Sequence, residues 1–216
     1  MRGPAFLLRR PAAAGLLILV CGAAAAGETP PTVKPARLEP AAPAGPLKPA
    51  PADPAAPVPH GGVPPLKEMI AARIGGPVLV VVWATWCAPC VKEIPMLNHV
   101  GEYFAGDGLT VIGVSVDSLT EDDLETGLAV VDAFCKNHAI QYPLYYYSGN
   151  PNALGDALGW TGAIPYAALI DYRGKIVERW PTVVPEGAFV SRLEEMIREM
   201  RGKKGWAPQA PAAPPP

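Results

Sequence analysis

The chain has 216 residues, with 28 prolines, 4 cysteines and a formal net charge of −2 at pH 7. Proline-rich stretches precede residue 66 and follow residue 203. Residues 66–203 are therefore expected to form one domain, which is long enough to bury a hydrophobic core. That stretch carries eleven Lys and Arg against seventeen Asp and Glu, a net charge of −6. A mildly acidic domain argues against a nucleic-acid partner, which favours a basic face.

Residues 1–26 have the pattern of an export signal. Three arginines precede an uncharged segment over 11–26, which has an apolar centre and ends in three alanines. An uncleaved membrane anchor through 11–26 is the alternative, although a full span needs about 20 apolar residues. Lipidation of Cys21 is a weaker alternative, because Val20 stands where a small residue is expected. We expect an extracytoplasmic, periplasmic protein, either soluble after signal cleavage or tethered to the inner membrane.

Residues 27–65 predict a disordered, extended linker. Proline occupies 13 of the 36 positions from 30 to 65, and a residue without an N–H group cannot join a helix or sheet ladder in the ordinary way. Residues 204–216 are rich in proline and alanine again, so they predict a disordered tail.

The most informative motif is Trp86-Cys87-Ala88-Pro89-Cys90, which directly follows the apolar run 77–83. The motif predicts two thiols at the end of a buried strand, on the first turn of the next helix. The partial positive charge and free N–H groups of a helix N-terminus stabilise a thiolate. In an oxidising compartment this spacing favours disulfide chemistry over zinc, and no second ligand pair supports a metal site.

The domain is predicted to follow the order β-α-β-α-β-α-β-β-α. Apolar runs predict the strands and spaced apolar residues predict the helices. Alternation of strands and helices indicates a parallel centre, and a final hairpin adds antiparallel pairing. We therefore predict an α/β fold with a central mixed sheet flanked by helices. The predicted strands are 77–84, 109–116, 144–147, 166–170 and 175–180, and the predicted helices are 89–104, 121–138 after a Thr120 cap, 152–158 and 186–201.

This order and its cysteine motif resemble the thioredoxin superfamily, and more closely the exported TlpA/ResA-like thiol-disulfide oxidoreductases. The likeness covers roughly residues 66–201. It implies a thioredoxin-like fold. Four segments carry it: Val82 to Cys90, Glu93-Ile94-Pro95, Gly162-Ala163-Ile164-Pro165 with the following strand and Gly174-Lys175, and an extra strand–helix insertion near 111–140.

The resemblance assigns roles to the site residues. It implies that Cys87 is the nucleophile and Cys90 the resolving cysteine, and that the two form a disulfide. It also implies a cis peptide bond before Pro165, which would expose the Ile164 backbone to pair with a bound client peptide. Trp86 is expected on the apolar rim where a client docks, whereas Trp83 is expected in the core.

The chain departs from the family at two positions. Val81 stands where ordinary thioredoxins have a buried aspartate that assists proton transfer, and Tyr166 stands where the family usually has threonine. Valine cannot move a proton. Glu93, one helical turn after Cys90, is therefore the nearest candidate for the proton acceptor, with an exposed helix glutamate as the alternative.

These features predict a protein disulfide reductase, because Ala88-Pro89 resembles the reducing members of the superfamily. Expected partners are disulfide-bearing exported proteins and a membrane thiol electron donor, and the resemblance suggests cytochrome c or copper-oxidase maturation as the setting. We expect a monomer without a cofactor. Two alternatives stay open: a disulfide-donating oxidant on the same fold, and a copper-binding chaperone module that uses the cysteine pair as soft ligands.

Two further features are interpreted as structural. Cys135 lies in the middle of a predicted helix, which favours a buried, inert thiol. The acidic residues from Asp117 to Glu125 lack the spacing of a calcium loop, so we interpret them as a solvated helix start.

Overall fold

The structure is a computed structural model that describes residues 57–207. The predicted signal or anchor over 1–26, Cys21, the first part of the linker and the last residues of the tail lie outside the described residues. Between residues 57 and 207, no helix combines the length and the apolar character needed to cross a membrane.

In the described part of the chain, six strands form one mixed sheet. The strands are β1 (His60–Gly61), β2 (Val78–Trp83), β3 (Thr110–Ser115), β4 (Leu144–Tyr147), β5 (Tyr166–Ile170) and β6 (Ile176–Trp180). Their order across the sheet is β1-β4-β3-β2-β5-β6. The first four strands in this order are parallel, whereas β5 and β6 each run antiparallel to their neighbour. The predicted mixed sheet is confirmed.

Within residues 57–207, five α-helices cover the two faces of the sheet. They are α1 (Val63–Ala71), α2 (Ala88–Tyr103), α3 (Leu124–Asn137), α4 (Pro151–Leu158) and α5 (Glu186–Met200). Buried hydrophobic residues of α1, α3 and α4 belong to one cluster, together with Cys90 from the first turn of α2. Leu97 and Val100 of α2 belong to a second cluster with the buried residues of α5. The predicted thioredoxin-like arrangement is therefore present, with β3 and α3 in the region of the predicted insertion.

Strand β2 lies at the centre of this arrangement. All six of its residues are buried, and the apolar side chains of residues 78–82 alternate between the two clusters. Val78, Val80 and Val82 face one layer of helices, while Leu79 and Val81 face the other. Each buried side chain of this size stabilises the fold by about 1.5–3 kcal/mol. A strand held this firmly gives the segment that follows it a fixed starting point.

The predicted boundary between linker and domain at residue 65 is wrong. His60 and Gly61 form β1 and pair with Tyr146 and Tyr147, and α1 begins at Val63. Two prolines occupy the first turn of α1, where a missing N–H costs nothing because those groups have no partner within the helix. The proline content of this stretch therefore does not prevent a helix.

The predicted tail also begins too early. Trp206 packs edge-on against Tyr172, with ring centroids 6.0 Å apart. The Ala207 N–H donates a hydrogen bond to the Gly75 carbonyl over 3.1 Å. These contacts extend the domain to residue 207, because an aromatic side chain gains more from contact with the core than from solvent.

The start of α3 differs from the prediction. Asp123, not Thr120, is the N-cap, and its carboxylate accepts a hydrogen bond from the Thr126 N–H over 2.8 Å. This contact lowers the pKa of Asp123, because the hydrogen bond favours the charged form. Residues 117–119 form a separate turn of 3₁₀ helix, so Asp117 is not part of a solvated helix start.

Candidate redox site

The cysteine pair occupies the junction between β2 and α2. Strand β2 ends at Trp83 and α2 begins at Ala88, so Cys87 is the N-cap of the helix. The Cys90 N–H donates a hydrogen bond to the Cys87 sulfur over 3.3 Å. The two cysteines are joined by a disulfide, with a Cα–Cα distance of 5.3 Å. The helix N-terminus therefore offers an N–H group and a partial positive charge to Cys87 once the bond is reduced.

The two sulfur-bearing residues are shielded, whereas one flanking side chain is open to solvent. Cys87 is 5% exposed and Cys90 is 3% exposed, so exposure alone distinguishes them little. Trp86 is 51% exposed, while Trp83 is buried and packs against Phe134. The predicted core position of Trp83 is confirmed. Trp86 presents an apolar surface directly beside Cys87.

A cis peptide bond precedes Pro165 in the structure, as the resemblance implied. Strand β5 runs antiparallel to β2 with Tyr166 opposite Val82. This register places Ile164 and Pro165, just before β5, near the C-terminal end of β2, where the chain leads into the cysteine motif. Residues 161–163 of the preceding loop are exposed.

Two side chains hold the loop before Pro165 in place. The Trp160 indole N–H donates to the Ala163 carbonyl over 2.7 Å, and the Tyr166 hydroxyl donates to the Leu158 carbonyl over 2.6 Å. Tyr166 is buried, and burial raises the pKa of its hydroxyl. The tyrosine that stands in place of the family's threonine therefore anchors this loop to the end of α4.

Glu93 lines an apolar groove on the α2 side of the sheet. The groove is also lined by Val81, Met96, Pro165, Trp180 and Phe189. Burial among these groups raises the pKa of Glu93 to about 7, because a carboxylate loses hydration there. Glu93 is thus not the fully exposed glutamate of the alternative interpretation. Val81 supplies no ionisable group, and Glu93 is the acid on this groove.

A polar cluster that the sequence patterns did not predict contacts the residues just before the motif. Asp117 is only 3% exposed, and its carboxylate accepts hydrogen bonds from Thr85 and Ser115. Thr85 stands two residues before Cys87. The sequence offered a partial signal, because Asp117 follows a predicted buried strand. In α/β sheets, ligands bind near the carboxyl ends of such strands.

Cys135 is separate from this site. It is buried on α3, and burial together with the charges of Asp132 and Asp117 raises the pKa of its thiol to about 12. The predicted buried position of Cys135 is confirmed, and the raised pKa of its thiol disfavours the reactive thiolate. Within residues 57–207, no three His, Cys, Asp or Glu side chains gather as a group that could hold a metal ion.

Comparison with known proteins identifies the family. The Redoxin family model matches residues 68–197, well over half of the chain. This chain belongs to the Redoxin family. Its match region contains the cysteine motif, Glu93 and Pro165, so all the predicted site residues lie within the Redoxin domain.

Curated relatives of this Redoxin protein carry names of one chemical class. The thiol-disulfide oxidoreductase ResA of Bacillus cereus is 31% identical over 105 residues, which cover 49% of this chain and 54% of ResA. The thiol:disulfide interchange protein DsbE of Pseudomonas fluorescens is 34% identical over 119 residues, which cover 55% of this chain and 59% of DsbE. The matches thus span little more than half the length of these relatives. They confirm the predicted resemblance to ResA-like proteins.

A solved structure gives the same fold. A Chlorobium tepidum protein assigned as thiol:disulfide interchange protein DsbE aligns with 62% of this chain and 85% of its own. Its TM-score is 0.50 at 22% sequence identity. This likeness supports the thioredoxin-like fold of the Redoxin domain.

Proposed function

We propose that this Redoxin protein is a protein disulfide reductase that acts on exported proteins through Cys87 and Cys90. The main support for this proposal is the position of Cys87, which caps α2 at its N-terminus and is bonded to Cys90. A helix N-terminus stabilises the thiolate of the first cysteine, which is the attacking species in disulfide exchange. The names of the curated relatives support the same chemistry.

The proposed reaction has two exchange steps. The Cys87 thiolate attacks one sulfur of a client disulfide, forming a mixed disulfide and releasing the other client sulfur as a thiolate. Cys90 then loses its proton and attacks Cys87, which releases the second client sulfur. The client gains two electrons and takes up two protons, and Cys87 and Cys90 are left as the oxidised pair.

Glu93 is the proposed proton acceptor for the second step. Its pKa of about 7 leaves about half of the carboxyl groups ionised at neutral pH, which suits a group that takes up and then releases a proton. Its place on α2, one helical turn beyond Cys90, supports this role. The groove that surrounds Glu93 is apolar, so few other groups compete for the proton.

The proposed client-binding surface combines Trp86 with the backbone of Ile164 and Pro165. Trp86 offers an exposed aromatic face. The loop that ends at Pro165 lies near the C-terminal end of β2, as the cysteine motif does. An extended client segment would contact the tryptophan ring and pair with the loop backbone, as peptides do when they add to a strand edge.

The proposed partners are exported clients and a membrane thiol relay that returns electrons to the oxidised pair. The signal-like pattern of residues 1–26 supports a periplasmic site of action. By family resemblance, the first clients to test are the haem-attachment cysteines of apocytochromes c and the copper-site cysteines of respiratory oxidases.

The reduction potential of the Cys87–Cys90 pair tests the proposed direction of electron flow. The full chain is equilibrated with dithiothreitol and glutathione buffers, and the oxidised fraction is measured by alkylation and mass spectrometry. A potential near that of thioredoxin, about −270 mV, supports a reductase. A potential near about −120 mV overturns the proposal in favour of a disulfide donor. Stoichiometric Cu(I) binding without disulfide reduction overturns it in favour of a copper chaperone.

A further inference from the structure

A buried carboxylate contacts the residues that lead into the redox site and takes no part in the proposed chemistry. Asp117 directly follows the residue after β3 and is only 3% exposed. A charged group in such a place costs free energy unless hydrogen bonds replace its lost hydration. Both oxygens of Asp117 have such partners, so the residue is held firmly and holds its partners in return.

The hydrogen bonds of Asp117 converge on Thr85. The Thr85 N–H points between the two carboxylate oxygens at 3.1 and 3.2 Å, and the Thr85 hydroxyl donates to Oδ1 over 2.5 Å. The Ser115 hydroxyl donates to Oδ2 over 2.6 Å and accepts from the Asp117 N–H over 3.2 Å. The Ser115 bonds hold the carboxylate from the neighbouring strand β3, and the two Thr85 donors connect that carboxylate to the segment before the motif.

Thr85 belongs to the turn that delivers Cys87 to the helix. The Cys87 N–H donates to the Ala84 carbonyl over 3.1 Å, which closes a four-residue turn over 84–87. The side chain of Trp86 is exposed and gives the turn little support. Thr85 therefore connects this turn to the buried side chain of Asp117.

We propose that Asp117 is a positioning residue of the redox site, which holds the 84–87 turn through Thr85 and so keeps the Cys87 sulfur at the N-terminus of α2. The inference rests on the proposed function for its importance, since Cys87 is the proposed nucleophile. The effect of Asp117 on the Cys87 thiol can be tested independently of that function, because the pKa of the thiol is measurable without any client.

Positioning and simple charge predict opposite effects on Cys87. If Asp117 keeps the sulfur at the helix N-terminus, loss of the Thr85 contact withdraws helix stabilisation and raises the thiol pKa. If Asp117 acts only through its negative charge, its neutralisation lowers the thiol pKa, because a nearby anion disfavours a thiolate. The direction of the shift therefore distinguishes the two roles.

The test measures the pKa of Cys87 by the pH dependence of iodoacetamide alkylation in the full chain. A Cys90→Ser background leaves Cys87 as the single thiol of the tryptic peptide 74–92, so mass spectrometry reads it alone. Into this background we place Thr85→Val, Thr85→Ser and Asp117→Asn. We expect a rise of about half a pH unit in T85V and about one pH unit in D117N, with T85S close to the parent.

Asp171→Asn is the matched control. Its carboxylate also holds a turn by accepting backbone N–H bonds, from Arg173 and Lys175 at 2.9 Å each. That turn follows Ile170, which pairs with Val78 at the far end of β2. We expect D171N to leave the Cys87 pKa unchanged, which separates a local effect from a general loosening of the fold.

Two results overturn the proposal. One is an unchanged Cys87 pKa in both T85V and D117N, and the other is a lowered pKa in D117N with no change in T85V. Should D117N fail to fold, T85V against T85S decides alone, because valine matches threonine in shape and lacks only the hydroxyl. A wild-type chain that reduces no client, while Cys87 titrates normally in the Cys90→Ser parent, contradicts the proposed function and leaves this test readable.

Discussion

The Cys90 backbone N–H donates a hydrogen bond to the Cys87 sulfur across 3.3 Å. This contact makes the two cysteines unequal, although both are more than nine-tenths buried. Cys87 caps the helix and accepts from it, whereas Cys90 lies within the first turn. The proposed difference in their roles therefore rests on the helix end and not on solvent exposure.

Cysteine substitutions should separate attacker from resolver. Cys90→Ser is expected to accumulate a mixed disulfide between Cys87 and a client, because the sulfur that completes the exchange is absent. Cys87→Ser should lower client reduction by about 100-fold or more, because no stabilised thiolate remains. Non-reducing electrophoresis and peptide mapping against a disulfide-bonded client measure both outcomes. Equal trapping by the two variants would contradict the assignment.

The pH dependence of the second step should report on Glu93. Burial raises the pKa of Glu93 to about 7, so its basic form grows as the pH rises through neutrality. The wild-type rate of Cys90 attack should therefore rise with an inflection near pH 7. In Glu93→Gln the inflection should vanish and the rate at pH 7 should fall by about 100-fold, the lower end of the contribution typical of general acid–base catalysis.

That rate is measurable in a single turnover. A chromophoric aryl thiol is attached to reduced Cys87, and its release by Cys90 is followed in a stopped-flow instrument from pH 5 to pH 9. Glu102→Gln is the control, because Glu102 is an exposed glutamate on the same helix. An unchanged rate and an unchanged inflection in E93Q would rule out Glu93 as the proton acceptor.

Glu93 should also affect stability, with a defined sign. Its pKa is higher in the folded chain than the ordinary value of 4.5, so the folded state binds more protons between these two values. The contribution of Glu93 to stability is fully present below about pH 4.5 and is lost as the pH rises through about 7. Glu93→Gln should therefore become more stable relative to the oxidised wild type as the pH rises across this window.

Urea unfolding at pH 4.5 and pH 8 measures this change as the difference between variant and wild type. The subtraction removes the titration of all the other groups. A difference that stays constant between the two pH values would show that Glu93 is not held in an apolar environment.

Sequence patterns predicted the central elements well because local signals defined them. The bounds of β4 and β5 are as predicted, and β2 differs from its prediction by one residue at each end. The predicted start of the domain is wrong because the high proline content before residue 66 indicates a linker more strongly than the short apolar pattern of α1 indicates a helix. Leu66 and Ile70, four residues apart and both buried, were the apolar stripe that marked α1.

The site was predictable where it is local and not where it is assembled. The cysteine motif reads directly from five consecutive residues. The contact between Thr85 and Asp117 joins residues 32 apart in the chain and depends on the pairing of Trp83 with Ser115. Strand register of this kind is set by packing across the whole sheet, which spacing along the chain does not encode.

Two tryptophans should separate stability from client binding. Trp206 packs against Tyr172 at the far end of the sheet from the cysteines, so Trp206→Ala should lower the free energy of unfolding by about 1–2 kcal/mol. Trp86 is 51% exposed, so Trp86→Ala should change that free energy by less than about 0.5 kcal/mol. Urea unfolding of the two oxidised variants measures this difference.

Client reduction should show the opposite order. W86A should raise the KM for a disulfide-bonded client such as insulin by about tenfold, because an apolar anchor beside Cys87 is lost. W206A should leave KM and the reduction potential unchanged at a temperature where it is folded. The two variants act as controls for each other, since both remove an indole ring. A raised KM in W206A, or an unchanged KM in W86A, would contradict the proposed client surface. The next candidate would then be the apolar groove that Glu93 lines.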